Sequence, residues 1–302
     1  MIIDAHAHIY EYCRPYGPRG EGRAIGGGLI QWPNGKVERF FPERYGDCGF
    51  TAETLITLMR ENAVDKAVLL QASNYGFQNE YIADILKKYP DKFVGACAFD
   101  PYAKQASELF RHFSDEMNYR IVKFEISESW GLSGIHPDLS LDSQLFDPVW
   151  EWAQEKNVTV VVDTGPRSNI NWRTDTIANV LRRYPELRFV VAHALFPCDD
   201  GFNDTRLNML STIAGNNCYF DISNIIPRNE TYPYPNLQKY LRQLVDLAGA
   251  DHVMWGSDLP WALCLYDYRA LYQYLIDGKS FSAEELSWIL GSTAENLYFN
   301  QK

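Results

Sequence analysis

Two histidines, His6 and His8, stand one residue apart in the stretch IIDAHAHIY near the start of the chain. Side chains at positions i and i+2 of a β-strand point to the same side, so a strand here would bring both imidazoles together. Such a pair can bind a divalent metal ion, or can consist of strand-end histidines that hydrogen-bond to the backbone. The choice depends on which other polar residues the fold places beside them.

Other residues that can do chemistry follow short apolar runs elsewhere in the chain. They are Lys123 and Glu125 in RIVKFEIS, Asp163 in VTVVVDTG, His193 in LRFVVAHA and Asp258 in HVMWGSD. Burying such groups without partners is costly, and metal coordination is the natural way to offset that cost. Imidazoles and carboxylates suit zinc, manganese or iron, and an open coordination position would hold a water molecule whose pKa the metal lowers.

The runs that carry these residues belong to a series of eight predicted strands. They cover residues 2–8, 66–73, 93–100, 120–127, 158–165, 187–194, 217–223 and 252–258. Several are almost continuously apolar, which is typical of strands buried on both faces. Helical stretches separate them; for example, residues 51–62 begin with Thr51 as an N-cap, and residues 81–89 end before Pro90.

This alternation predicts parallel strands joined by right-handed crossovers. Eight such units in 302 residues favour an α/β fold with one closed (β/α)8 TIM barrel, as a single domain over residues 1–302. An open, doubly wound sheet is the alternative, but no GxGxxG turn follows the first strand. The prediction adds a long first βα loop at 10–50, as a lid or substrate wall, and an extra C-terminal helix at 282–299 that breaks near Gly291.

In such a barrel, chemistry takes place at the C-terminal ends of the strands. Strand spacing predicts two sets of side chains that each share a face: Asp4, His6 and His8 on the first strand, and Lys123, Glu125 and Ser127 on the fourth. If those faces line the barrel interior, imidazoles and carboxylates converge on one point.

The composition argues against several other classes of protein. The net charge is −11 and no Lys/Arg-rich stretch occurs, which disfavours a nucleic-acid groove or an anionic membrane surface. No run is apolar enough to span a bilayer. The six cysteines form no CxxC pair, and the N-terminus shows no secretory signal, so a reduced, cytoplasmic setting is the expectation.

Three motifs together resemble the amidohydrolase superfamily: DAHAH in the first strand, His193 in VVAHA, and Asp258 in MWGSDLPW. The sequence is similar to the amidohydrolase-related branch, which holds aminocarboxymuconate-semialdehyde decarboxylase-like enzymes and small lactone hydrolases. The similarity runs over essentially the whole chain, including NYGFQNEYIADILKKYPDKFVGACAFDP. It implies that His6 and His8 bind a divalent metal and that Asp258 is a ligand or the base that deprotonates water. His193 would orient or polarise the substrate, or transfer a proton.

The sequence departs from this family at the fifth strand, where Asp163 stands in place of the usual histidine. A carboxylate can still ligate, so the implied metal ligands are His6, His8, Asp163 and Asp258, around one ion of zinc or, as the alternative, manganese. A metal-free site also stays open, because some lactone hydrolases of this branch work without metal. Lys123 could match the carbamylated lysine of binuclear members, but Glu125 is the better candidate, as a ligand or an acid/base.

Substrate contacts are expected from the loops at the same end of the barrel. Arg167 follows the fifth strand, and Trp130 and Trp261 follow the fourth and eighth. Arginines with aromatic rings suit a planar or ring-shaped carboxylate, held by paired hydrogen bonds and stacking. We therefore predict that these three residues bind a small-molecule substrate.

Three functions remain open at this point. The first is hydrolysis of a small carboxylate-bearing lactone, ester or amide, with a metal-activated water attacking while His193 stabilises the oxyanion. The second is metal-dependent, non-oxidative decarboxylation of an aromatic or unsaturated acid, in which His193 or Asp258 would deliver a proton to carbon. The third is a binder without activity. The resemblance also raises the expectation of a homodimer.

Overall fold

The computed structural model of the protein describes residues 1–166, 174–197, 202, 204–215 and 217–300. Within these residues, eight parallel strands form one sheet in which each strand pairs with the next along the chain. They are β1 Ile3–Ala7, β2 Lys66–Leu69, β3 Phe93–Cys97, β4 Ile121–Glu125, β5 Thr159–Asp163, β6 Phe189–Val191, β7 Cys218–Asp221 and β8 Val253–Met254. The predicted TIM barrel is confirmed.

The segment that follows β8 closes the barrel against β1. The backbone N–H of Asp258 donates to the His6 carbonyl oxygen at 2.7 Å, and the N–H of His8 donates to the Leu259 carbonyl oxygen at 2.8 Å. Closure of the barrel therefore fixes Asp258 directly beside the two histidines.

Helices alternate with the strands around the outside. The described helices are α1 Ala52–Glu61, α2 Asn79–Lys88, α3 Ala106–Arg111, α4 Asp147–Glu155, α5 Thr174–Arg183, α6 Asp204–Ser211, α7 Pro235–Ala248, α8 Ala270–Asp277 and α9 Ala283–Ser287. The Thr51 hydroxyl accepts a hydrogen bond from the N–H of Thr54, as expected of an N-cap. In the described part of the chain, no helix combines the length and the apolar character needed to cross a membrane.

The extra C-terminal helix is present but does not break at Gly291. It continues after α9 through wide turns at Trp288–Ser292 and Glu295–Phe299. A Cβ atom at Gly291 would lie 2.6 Å from the Met1 carbonyl oxygen, so this glycine allows close approach to the start of β1. Leu297 and Tyr298 are buried together with strand residues of the barrel interior.

The long first loop contains strands of its own. Tyr16–Gly17 pairs with Gly20–Glu21, and Arg23–Gly26, Leu29–Gln31 and Val37–Arg39 form a three-stranded antiparallel sheet. The Arg19 guanidinium lies 3.8 Å from the ring centres of both Trp32 and Trp130 and pairs with Glu38 at 2.7 Å. This sandwich joins the first loop to the loop after β4.

The prediction that Asp4 shares a face with His6 and His8 is wrong. The pairing of β1 with β2 is irregular between Asp4 and Ala7, which breaks the simple alternation of side chains. The Asp4 carboxylate instead accepts hydrogen bonds from the Ser257 hydroxyl at 2.5 Å and the Tyr268 hydroxyl at 2.7 Å. Asp4 thus joins β1 to the segment after β8 and to the start of α8.

We expect Gly256→Ala to destabilise the barrel at its closure. A Cβ atom at Gly256 would lie 2.6 Å from the His6 Cβ atom and 2.9 Å from its backbone nitrogen, so the two segments must separate. Such overpacking costs about 1–3 kcal/mol, measurable as a lower free energy of unfolding in denaturant, and should also disturb the histidine pair.

Gly35→Ala is the matched control for this substitution. Gly35 has a φ of 82° with nothing within 4 Å of an added Cβ atom, so alanine there should cost about 1 kcal/mol of backbone strain and leave the histidines in place. Unchanged stability in Gly256→Ala would contradict the tight closure described above.

Candidate active site

Three polar atoms form a small triangle at the C-terminal end of the barrel. The His6 Nε2 and His8 Nε2 atoms are 3.2 Å apart, and the Asp258 Oδ1 atom lies 3.2 Å from His8 Nε2 and 3.8 Å from His6 Nε2. All three residues are buried. The structure thus brings together three of the four predicted metal ligands.

The other ring nitrogen of each histidine is bound to a fixed acceptor. His8 Nδ1 lies 2.9 Å from the Leu70 carbonyl oxygen, which can only accept, so Nδ1 carries the proton. His6 Nδ1 lies 2.5 Å from Asp221 Oδ2 and likewise donates. A neutral imidazole protonated at Nδ1 has a free lone pair on Nε2, so both histidines present lone pairs to the triangle.

The protonation states favoured by burial agree with this geometry. Burial lowers the pKa of His8 to about 4, against the opposing hydrogen bond to Asp258, and burial with the nearby Lys123 charge lowers the pKa of His6. Burial by itself would raise the pKa of Asp258, but its contacts with His8 and the nearby histidines, His193 among them, hold it at about 2. Near neutral pH the triangle therefore consists of two neutral imidazoles and a carboxylate.

These atoms fit a divalent cation. Ligands about 2.0–2.1 Å from a tetrahedral zinc ion lie roughly 3.3–3.4 Å from one another, close to the observed spacings of 3.2, 3.2 and 3.8 Å. A looser set, His6, His193 and Asp258, has its ligand atoms within 4.8 Å of one another. Three lone-pair atoms in contact repel each other, and a cation among them removes that repulsion.

The nearest positive group of the described chain is Lys123. Its Nζ atom lies 3.2 Å from His6 Nε2 and 4.0 Å from Asp163 Oδ2, and the side chain is buried. Because His6 Nε2 has one lone pair, it can accept from this ammonium group or bind a metal, but not both at once. Lys123 is therefore placed to occupy the same lone pair that a metal would use.

Asp163 pairs with His193. The His193 Nε2 atom lies 3.1 Å from Asp163 Oδ2, and His193 Nδ1 lies 2.9 Å from the Ser223 carbonyl oxygen. Both ring nitrogens face acceptors. Burial would lower the pKa of His193, but the Asp163 carboxylate raises it to about 10, so His193 is a cation. Burial raises the pKa of the neighbouring Glu125 well above its usual range, and Asp163 raises it further.

His193 and Asp258 both lie in strained, left-handed backbone. The four residues from His193 to Phe196 have φ values of 57°, 43°, 61° and 52°, and Asp258 has a φ of 60°. Each non-glycine residue in this left-handed region costs about 1 kcal/mol or more, and such strain is concentrated at functional sites. The Asn224 side chain also donates to Asp258 Oδ2 at 2.8 Å.

A cavity of about 790 Å³ opens above these residues. Lys123, Glu125 and Ser127 all line it, as their shared face on β4 predicts. The first loop contributes Glu38, Arg39 and Phe40, in line with its expected role as a substrate wall. Further lining residues include Tyr75, Asp163, His193, Phe196, Arg228 and Asp258.

Two of the three predicted substrate-binding residues line this cavity. Trp130 and Trp261 both line the cavity, whereas Arg167 lies outside the described residues. The positive side chains from the described loops are instead Arg39 and Arg228, and the Arg228 guanidinium lies 5.9 Å from the centre of the Trp261 ring. The roles of all these residues remain predictions.

Two residues of the site, Asp221, which orients His6, and Tyr75, were not predicted from the sequence. Asp221 lies in FDIS at the C-terminal end of β7, and the strand-end criterion used for the other polar residues would have found it there. Tyr75 follows β2 by several residues in a turn, and no periodic pattern marks it.

The chain matches known proteins over nearly its whole length. A sequence model of the family described as Amidohydrolase matches residues 3–299. An L-fucono-1,5-lactonase from Burkholderia ambifaria is 23% identical over 266 residues, which cover 85% of this chain and 80% of that protein.

Solved structures share the fold. An amidohydrolase from Burkholderia multivorans with bound zinc has a TM-score of 0.70 at 17% identity, with 98% of each chain covered. A probable 2-pyrone-4,6-dicarboxylic acid hydrolase from Acinetobacter baumannii with citric acid bound has a TM-score of 0.67 at 17% identity, again with 98% of each chain covered. At these identities, the likeness to the solved structures establishes the architecture alone.

We expect Asp221→Asn to weaken zinc binding about 10–100-fold, as measured by competition with a chromogenic chelator. Asp221 accepts from His6 Nδ1 and from the Ser223 N–H, and an asparagine offers one oxygen for these two donors. His6 should therefore lose its fixed tautomer. Asp251→Asn, on the exposed far side of β8, is the control and should bind zinc like the wild type; equal affinities in both variants would contradict the orienting role.

Proposed function

We propose that this chain, which belongs to the amidohydrolase family, is a metal-dependent hydrolase that opens a small carboxylate-bearing lactone. The observation that carries the proposal is the triangle of His6, His8 and Asp258, three lone-pair atoms that converge beneath a substrate-sized cavity. The named substrates of two similar proteins support the choice, since an aldono-1,5-lactone and a 2-pyrone are both six-membered cyclic esters.

His6, His8 and Asp258 would hold the cation. When bound there, a divalent ion supplies Lewis acidity that polarises a carbonyl group and lowers the pKa of water. The ligand set suits zinc, and the fold relative with bound zinc is consistent with that choice; manganese remains the alternative.

The remaining residues have distinct roles in the proposal. Asp258 is ionised near neutral pH, and Asn224 orients its Oδ2 atom, so this carboxylate can accept a proton from the attacking water. His193, kept cationic by Asp163, stabilises negative charge on the carbonyl oxygen. Glu125, which burial keeps protonated, can donate its proton to the ring oxygen that leaves. Water and lactone thus give a hydroxy acid.

The side chains that line the cavity suit a ring-shaped, anionic substrate. Trp130 and Trp261 offer planar surfaces for a ring, and Arg39 and Arg228 bring positive charge to the cavity wall. Arginine pairs with carboxylates through two parallel hydrogen bonds, and such pairing fixes the orientation of the ligand. Arg167, the other predicted partner, lies outside the described residues.

A panel assay with zinc-loaded protein tests the proposal. We expect acid release from six-membered lactones that carry a carboxylate, and a loss of about 10²–10⁴-fold in kcat/KM for His193→Ala. His112→Ala, in an exposed residue outside the barrel, should match the wild type. Release of carbon dioxide from aromatic acids, without lactone opening, would establish the decarboxylase alternative instead. If the zinc-loaded protein acts on neither lactones nor aromatic acids, a binding protein without catalytic activity would be favoured.

Asp163→Asn tests whether Asp163 binds the metal or instead keeps His193 positively charged. Because Asp163 Oδ2 is bound to His193, we expect the variant to keep its zinc affinity within a few-fold and to lose about 10²-fold or more in kcat. The pKa of His193 should fall, because it loses the carboxylate that raises it. The alkaline limit of activity should therefore move to lower pH. A variant that no longer retains zinc would instead make Asp163 the fourth ligand, as the sequence predicts.

A further inference from the structure

The turn after β2 places Tyr75 firmly at the cavity. The Tyr75 carbonyl oxygen accepts from the Arg14 N–H at 3.1 Å, and the Ser73 carbonyl oxygen accepts from the Tyr16 N–H at 2.7 Å. The next residue, Gly76, has a φ of 85°, and a Cβ atom there would lie 2.6 Å from the Arg14 carbonyl oxygen. The first loop thus clamps the backbone on which Tyr75 stands.

The Tyr75 ring is held on three sides by other rings. Its centre lies 4.6 Å from that of His8 and 5.2 Å from that of Tyr10, with which it stacks. Phe40 meets it edge-on at 5.9 Å. Only 5% of the residue is exposed. The direction of the phenol is therefore set before any ligand arrives.

The Tyr75 hydroxyl has no hydrogen-bond partner within the described part of the protein, yet the residue lines the cavity. The stacked neighbour Tyr10 differs, because its hydroxyl is fully enclosed and the residue does not line the cavity. A preorganised donor that the protein itself does not use is available to a ligand.

An ordinary phenol titrates at about pH 10, so a tyrosine hydroxyl carries its proton near neutral pH. The Tyr75 hydroxyl can therefore donate a hydrogen bond to a ligand in the cavity.

We propose that Tyr75 is a further catalytic residue, whose hydroxyl donates a hydrogen bond to the lactone carbonyl oxygen as that oxygen gains negative charge. This inference rests on the proposed lactone hydrolysis. The oxygen of water bonds to the carbonyl carbon as Asp258 takes one water proton, and the ring C–O bond breaks as Glu125 protonates the leaving oxygen. Proton exchange with solvent then returns Asp258 and Glu125 to their starting states. Tyr75 keeps its own proton throughout.

Tyr75 lies against His8 and His193 lies against His6. Tyr75 would supply a hydrogen bond to the oxyanion, while His193, whose ring nitrogens face Asp163 and Ser223, would contribute its positive charge.

Tyr75→Phe tests the inference, with Tyr10→Phe as the matched control. Each substitution removes one hydroxyl without a protein partner and keeps the ring stack, so both variants should fold and bind zinc like the wild type. We expect Tyr75→Phe to lower kcat about 10²-fold with KM changed less than about threefold, and Tyr10→Phe to leave kcat unchanged.

Binding of a six-membered cyclic phosphonate, measured by calorimetry, gives a readout besides turnover. This probe mimics the charged transition state, and Tyr75→Phe should weaken its binding by a factor similar to the loss in kcat. If wild-type protein opens lactones but Tyr75→Phe does so within threefold, the role of Tyr75 is overturned and the proposed function stands. Loss of zinc in Tyr75→Phe would also overturn it, because Tyr75 would then only support His8. If the wild type neither opens lactones nor binds the phosphonate, both proposals fail.

Discussion

The site depends on the way each inward-facing imidazole is tied down at Nδ1. His8 donates to the Leu70 carbonyl oxygen, His6 to Asp221, and His193 to the Ser223 carbonyl oxygen. These acceptors are fixed by neighbouring strands, so the tautomers and ring orientations are fixed with them. The three histidines then differ in chemistry because different groups lie next to their Nε2 atoms. The Nε2 atoms of His6 and His8 face each other and Asp258, and the Lys123 ammonium group lies beside His6, so their lone pairs point toward positive charge. His193 Nε2 instead faces Asp163, and His193 is a cation itself.

Barrel closure and loop packing place the other groups against this frame. The backbone bond from Asp258 to His6 joins the last strand segment to the first, and left-handed backbone at Asp258 and His193 turns both side chains inward. The first loop completes the wall of the cavity through two contacts. Arg19 packs between Trp32 and Trp130, and the Arg14 N–H donates to the Tyr75 carbonyl oxygen. The strain at the strand ends is tolerated because the surrounding barrel is fully packed.

Much of this could be predicted from periodicity. Continuous apolar runs located all eight strands, and the strand-end position of polar residues located His6, His8, His193 and Asp258. The predictions that were wrong or missing concern residues whose positions depend on local irregularity of a strand or on contacts between distant segments. Asp4 left the predicted face because β1 is irregular, and the pairing of Asp163 with His193 joins residues 30 positions apart. Tyr75 stands in a turn whose geometry is set by a distant segment, and no sequence period encodes such a contact.

The most direct test of the central claim is a zinc titration of metal-stripped protein, with His6→Ala beside it. The geometry predicts one zinc ion per wild-type chain, binding at least about 100-fold weaker in His6→Ala, and unchanged binding in His112→Ala. Retention of less than about one-tenth of an equivalent by the wild type, or equal affinity in His6→Ala, would contradict the assignment of His6, His8 and Asp258 as a metal site.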